Sequence, residues 1–286
     1  MSHKIHNKGY ILIWFSVGYM SKSKTIKTFR DLLAFLTIIP VGTTDDFVIT
    51  SAEAIFLFPL IGGFIGLLGG LYYQICSFVV TNILDLINST ISIPVNFLGQ
   101  FFPAVMTLAF LLVLTGLQHF DGLVDLGNAI GVKNLKERKI MAHAWVVTYK
   151  GGFLAIFVEL LAVLGIFLLN PAHVFGAIIA SEIAAKLAMV TISWLGKPTH
   201  SGLGSIFLET AKNKRNIIAY FISILMIYPF LGLIGVWVVF ITILLGFFME
   251  RVAKFVFDGV SGDMIGATNE TVRAVILVFI ASVLIL

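Results

Sequence analysis

The stretch Gly99-Gln-Phe-Phe-Pro-Ala-Val-Met-Thr-Leu-Ala-Phe-Leu-Leu-Val-Leu-Thr-Gly-Leu117 has no charged residue, and it runs directly into Gln118-His119-Phe120-Asp121-Gly122-Leu123-Val124-Asp125-Leu126-Gly127-Asn128. An apolar run of this length matches the roughly 20 residues that a helix needs to cross a bilayer. A charged side chain at bilayer depth costs about 2.5–3.5 kcal/mol on insertion scales, so acids at the end of such a run mark a candidate functional site. On a helix, Asp121, Asp125 and Asn128 fall at i, i+4 and i+7 and share one face. Three oxygen donors on one face suit a hard divalent cation.

The rest of the chain sets that stretch in a membrane. Hydrophobic residues make up 59% of the sequence and charged residues 12%, and the mean hydropathy is +1.03, a composition that soluble globular domains do not show. Comparable runs fall at about 54–75, 99–117, 152–170, 174–195, 216–232, 233–249 and 272–286. The expected fold is all-α, a polytopic helical bundle with about seven transmembrane helices, in which the division of 216–249 around Pro229 is the least fixed. Residues 1–19 have a basic start, an apolar patch at 10–17 too brief to span, and no small-residue cleavage site. Met20 offers a second beginning, so 1–19 is read as an N-terminal extension and 20–286 as a single membrane-embedded catalytic domain. The lone Cys76 excludes an intramolecular disulfide and a cysteine-based metal cluster, and is read as a small buried residue.

Orientation follows from the basic residues, because Lys and Arg accumulate on cytoplasmic loops. Lys22, Lys24, Lys27 and Arg30 precede the first span, and Lys133, Lys136, Arg138, Lys139 and Lys150 lie between the second and third. Lys197, Lys212, Lys214 and Arg215 follow the fourth, Arg251 and Lys254 follow the sixth, and 76–98 has no Lys or Arg. Seven spans with a cytoplasmic N-terminus satisfy this pattern. They place the Asp121 segment and the loops at 197–215 and 251–271 on the cytoplasmic face of the cell membrane. Each basic cluster stays open between topology and anion binding. The net charge of +4 is accounted for by these loops, and without a basic groove interleaved with aromatics nucleic acid is not an expected partner.

Three segments on that face mix polar residues with glycine, a composition that lets backbone amides approach a phosphate. One runs from Asp121 to Gly131. Another is Gly196-Lys197-Pro-Thr-His200-Ser201-Gly202-Leu-Gly204-Ser205. The third is Asp258-Gly259-Val-Ser261-Gly262-Asp263-Met-Ile-Gly266-Ala-Thr268-Asn269-Glu270, where Asp263 and Glu270 lie two helical turns apart and form a second acidic cluster facing the first. Clustered carboxylates with glycine-rich loops and scattered cations fit Mg²⁺-dependent phosphoryl chemistry, in which one or two carboxylates and the substrate phosphates hold the ion. His119 is the nearest candidate base, set against a helix-end histidine bonded to backbone. Glu182 and Lys186, midspan at i and i+4, form either a neutralising pair or a site where Lys186 reaches a phosphate. An ion-coupled transporter belongs to a different class, disfavoured here by acids expected near span ends rather than at midplane and by the lack of visible inverted repeats.

Five segments in order resemble the cobalamin synthases, the adenosylcobinamide-GDP ribazoletransferases of late vitamin B12 assembly. They are Phe35-Leu-Thr-Ile-Ile-Pro40-Val, Phe58-Pro59-Leu-Ile-Gly62, Gly116-Leu-Gln-His119-Phe-Asp121-Gly122-Leu-Val-Asp125, Ser201-Gly202-Leu203-Gly204, and Gly259-Val-Ser261-Gly262-Asp263-Met-Ile-Gly266-Ala267 followed by Asn269-Glu270. Together they cover roughly 25–286. The chain departs from the family pattern at Asn128, where a third aspartate is usual, at Ile38 and Lys186, where arginines are usual, and around His143 and Trp145. The resemblance implies transfer of α-ribazole, or its 5'-phosphate, onto adenosylcobinamide-GDP, giving adenosylcobalamin or its phosphate plus GMP. It implies Mg²⁺, with Mn²⁺ as a substitute, held by Asp121, Asp125, Asn128 and Asp263, and catalytic roles for Asp121, Asp125, His119 and Asp263. Substrate contacts are implied for Lys186, Lys197, Lys150, Ser201, Gly202, Gly204, Gly259, Ser261, Gly262, Asn269 and Glu270. A phospholipid phosphotransferase of the CDP-alcohol type also uses an Asp-Gly step on membrane helices, but its pattern continues to an Ala-Arg pair that this chain lacks. Whether the chain forms a homo-oligomer is left open.

Overall fold

A computed structural model describes residues 25–43, 45–142, 144, 146–199 and 203–284, so the extension at 1–19 lies outside the described residues. Helix α1 covers 25–36. It is followed by α2 (Phe47–Glu53), α3 (Phe58–Asn88), α4 (Val95–Leu114), α5 (Gln118–Ala129), α6 (Leu135–Ala142), α7 (Tyr149–Leu168) and α8 (Pro171–Leu195). Then come α9 (Leu203–Thr210), α10 (Ile217–Leu231), α11 (Leu233–Phe257) and α12 (Gly262–Leu284). Seven of these, α3, α4, α7, α8, α10, α11 and α12, are long and apolar enough to cross a membrane, counting with α3 and α10 the short turns before them. The all-α polytopic reading therefore holds. The chain divides α10 from α11 at Gly232, whose φ of 54° only glycine adopts without strain, while Pro229 sits inside the last turn of α10.

Alternation of seven spans sorts the connections onto two sides. On one side lie only the short links 89–94, 169–170 and 232, none with a Lys or Arg. On the other lie α1, α2, α5, α6, α9 and the turn at 258–261, so the charged residues that connect spans share a face.

Helix α8 is the axis of the bundle, buried along almost its whole length. Between helices in lipid there is no hydrophobic drive, so association depends on close packing of small residues. Helix α3 supplies them: a Cβ on Gly62 would stand 2.6 Å from the Glu182 carbonyl oxygen, and one on Gly66 2.6 Å from the Ile179 Cα.

The start of α12 corrects the expected boundary. The helix begins at residue 262, not 272, and Thr268, Asn269, Glu270 and Arg273 are buried within it. Its first half faces protein rather than lipid, so a search for apolar runs overlooks it. The same helix overturns the expectation that the spans lack midplane acids other than Glu182. The Arg273 guanidinium binds Glu159 of α7 at 3.0 Å, Glu182 of α8 at 3.5 Å, and Glu270 one turn away. Lys186 donates to Glu182 at 2.7 Å. Three carboxylates and two cations thus tie α7, α8 and α12 together at mid-depth. Each isolated charge would cost several kcal/mol there, so they persist as one mutually neutralising cluster.

Candidate active site

Helix α4 ends in a reversal where Gly116 and Leu117 both take left-handed conformations (φ 70° and 60°). The turn lays α5 across the end of the bundle rather than through it, against α12. Two glycines set the approach. A Cβ on Gly122 of α5 would collide with the Asp263 carbonyl oxygen and stand 3.0 Å from the Ala267 nitrogen, and one on Gly266 of α12 would stand 3.0 Å from the His119 Cα. This interlock brings together the acids of two segments more than a hundred residues apart in sequence.

The electrostatics record that meeting. Asp125 is half-buried, and its carboxyl is pushed up to about 7, first by burial and then by the charges of Asp263 and Asp121. Asp121 is exposed and Asp263 half-buried. The three acids share one field, yet among the described residues no three His, Cys, Asp or Glu side chains come together as a group that could hold a metal ion. Mg²⁺ is a hard ion that binds through one or two carboxylates and keeps positions for water and substrate phosphate, so it does not require three protein acids at once. By donor chemistry, one or two of Asp121, Asp125 and Asp263 could serve such an ion. Asn128 could not: its amide oxygen accepts from the Thr148 N–H (3.0 Å) and hydroxyl (2.7 Å), and its Nδ2 donates to the Val146 carbonyl (2.7 Å). Both lone pairs of that oxygen are taken, so Asn128 anchors the start of α7 to α5 and is corrected from ligand to structural link.

His119 is buried, and among the described residues its Nε2 has no hydrogen-bond partner. Burial, then Lys186 and Arg273, hold its pKa down to about 3. A neutral imidazole of that basicity is poorly matched to take a proton near pH 7, which weakens the reading of His119 as base and leaves it a hydrogen-bonding group. It opens onto a cavity of about 330 Å³ lined by Phe35, Val48, Gln118, Met189, Gly204, Phe207, Gly262, Asp263, Ile265 and Gly266.

The remaining predicted residues divide into groups. Ser261 precedes α12, where its hydroxyl accepts from the Met264 N–H and donates to the Asp263 carboxylate, both at 3.3 Å. It orients Asp263. Gly259 is packed against the backbone of 197–199, which pairs with Val260 through Val260 N–H to Lys197 O (2.7 Å) and Thr199 N–H to Val260 O (3.1 Å). That glycine serves close approach. Gly204 and Gly262 face the cavity. Lys186, Asn269 and Glu270 lie in the buried interior, with Lys186 and Glu270 in the charge cluster and Asn269 donating to Glu270 at 3.0 Å. The neutralising alternative for Lys186 is thus the one the geometry takes. Lys150 reaches the Ile130 carbonyl beyond α5 (3.4 Å), and Lys197 is exposed beside the paired loops. Ser201, Gly202, His143 and Trp145 lie outside the described residues.

Several loop cations cap helix ends, where C-terminal carbonyls lack intrahelical partners. Lys212 donates to Ser193, Trp194 and Gly196 at the end of α8, and Arg138 to Phe255 at the end of α11. Glu159 and Arg273 went unnoticed in the sequence, although a single charge inside an apolar run is itself a signal.

A family profile described as Cobalamin-5-phosphate synthase matches residues 28–281. The chain belongs to that family. Among curated relatives, an adenosylcobinamide-GDP ribazoletransferase of Methanosarcina mazei is 28% identical, with 88% of this chain and 91% of the relative covered. One of Methanocella arvoryzae is 29% identical, over 89% and 95%, and one of Methanosarcina barkeri 27%, over 90% and 92%. No solved structure matches. The family match spans every element that builds the site, from α1 through α12.

Proposed function

We propose that the chain transfers α-ribazole, or its 5'-phosphate, onto adenosylcobinamide-GDP at the inner-leaflet end of the bundle. The observation that carries this reading is the convergence of Asp121, Asp125 and Asp263 through the Gly122–Asp263 contact. It is joined to a family whose curated relatives bear that activity in their names. In the reaction, a ribose hydroxyl oxygen forms a bond to the phosphorus borne by the corrinoid. The bond from that phosphorus to GMP breaks, and the hydroxyl proton departs to a base.

Mg²⁺ held by one or two of Asp121, Asp125 and Asp263 would neutralise charge on the pyrophosphate. The chain's own residues do the rest. Ser261 fixes the Asp263 rotamer, and the α5–α12 interlock holds the acids at one spacing. The basic residues on the same side support a cytoplasmic site by the positive-inside rule.

The test is release of GMP by the purified full chain in detergent, given adenosylcobinamide-GDP and α-ribazole with Mg²⁺. CMP release from a CDP-alcohol with no GMP release would replace this reading with the phospholipid one. Nucleotide-independent ion flux in proteoliposomes would replace it with transport.

A further inference from the structure

We infer that the cavity bounded by Phe35, Val48, Met189, Phe207 and Ile265, with His119 at its polar end, seats the planar base of the ribazole acceptor. The inference rests on the ribazole-transfer reading above and assigns one of its two substrates to a place.

Size makes the first selection. A volume of about 330 Å³ lies at the small end of the roughly 300–1,000 Å³ range of small-molecule sites. It admits a nucleoside-sized group and excludes a corrin macrocycle. Two such groups take part in the reaction, the dimethylbenzimidazole of α-ribazole and the guanine of the activated corrinoid.

Polarity makes the second selection. The cavity wall is mostly aromatic and aliphatic, its polar side chains being Gln118, His119 and Asp263, with the Phe35 and Phe207 rings stacked at 5.3 Å and 9° and Phe58 behind them at 6.2 Å from Phe207. A glycosylated benzimidazole offers one ring nitrogen and an otherwise apolar face. The wall answers with one buried nitrogen that has no partner among the described residues, His119 Nε2. Guanine carries more donors and acceptors on its edge than Gln118 and His119 can meet while Asp263 serves the acid cluster, and each one left unpaired costs about 1–3 kcal/mol.

Position agrees. Asp263 belongs both to the cavity wall and to the acid cluster, so a base seated here directs its ribose toward the carboxylates. Gly204 and Gly262 line the same cavity, and among the described residues a Cβ on Gly262 would meet nothing within 4 Å and one on Gly204 only the Gly262 nitrogen at 3.8 Å.

The test fills the cavity from α2, whose Val48 is only partly buried, by Val48→Trp in the full chain. The KM for α-ribazole should rise at least about tenfold, while the KM for adenosylcobinamide-GDP stays within about twofold. Phe207→Ala, which removes a wall, should shift the same constant in the same direction. A rise confined to adenosylcobinamide-GDP would give the cavity to guanine, and unchanged constants in a folded Val48→Trp protein would take the acceptor elsewhere; either overturns the assignment. If the wild-type chain releases no GMP at all, the transfer reading fails separately. Equilibrium binding of α-ribazole alone then decides the cavity: weakening about tenfold by Val48→Trp supports it, and undiminished binding overturns it.

Discussion

Gly122 lies so close to the main chain of Asp263 that no side chain fits between them. This contact sets how near the acids of α5 come to the acid of α12, and it predicts a large effect from a single methyl group. Gly122→Ala should part the two helices, cost about 1–3 kcal/mol through overpacking, and reduce GMP release far more than it lowers the thermal unfolding temperature in detergent. Wild-type turnover in Gly122→Ala would mean that catalysis does not depend on this spacing.

The carboxylates themselves can be separated from the scaffold. Asp121 is exposed and Asp263 half-buried, so Asp121→Asn and Asp263→Asn should insert and fold as the wild type does. Each should lower turnover at least about a hundredfold, near 3 kcal/mol of barrier, and weaken Mn²⁺ binding measured by electron paramagnetic resonance. Near-normal turnover in either variant removes that residue from the catalytic assignment.

Much of the architecture was legible because lipid-facing helices advertise themselves: the runs at 152–170, 174–195 and 216–232 meet α7, α8 and α10 within a few residues. What stayed hidden was helix that faces other helices. Residues 262–271 read as loop because Gly262, Asp263, Asn269 and Glu270 lower the hydropathy, yet Glu270 is admissible there because Arg273 pairs with it and Asn269 donates to it, and Asp263 accepts from Ser261 at the helix start. Within the site, the helical spacing put Asp121 and Asp125 on α5 correctly. It could not tell that Asn128, two turns on from Asp121, turns its amide to the backbone at 146–148. Spacing reports a shared face and says nothing of which partner already occupies it.

Asn128 offers a direct check on that distinction. If it were a ligand, Asn128→Asp would add a charge and tighten metal binding. Held as it is, the variant loses the donor to the part-buried Val146 carbonyl and sets a carboxylate oxygen against it, a loss of about 1 kcal/mol. The expected outcome is a lower unfolding temperature with no gain in Mn²⁺ affinity. A clear gain in affinity would return residue 128 to the metal site.

The charge cluster at mid-depth gives the last prediction. Arg273 is fully buried and neutralises carboxylates on three helices, Glu159, Glu182 and Glu270, leaving Lys186 as the other cation in contact with them. Its removal by Arg273→Leu strands negative charge in a low-dielectric interior, a loss on the order of 3–5 kcal/mol, visible as reduced membrane yield and a much lower unfolding temperature. Neutralising the acids as well should restore part of that stability, because the penalty lies in the unpaired charges rather than in the missing contacts. The triple variant Arg273→Leu, Glu159→Gln, Glu270→Gln should therefore unfold at a higher temperature than Arg273→Leu alone, a coupling that independent sites would not show. If the triple variant is no more stable than the single one, the cluster holds the helices by packing and hydrogen-bond geometry, and charge balance is not what keeps α7, α8 and α12 together.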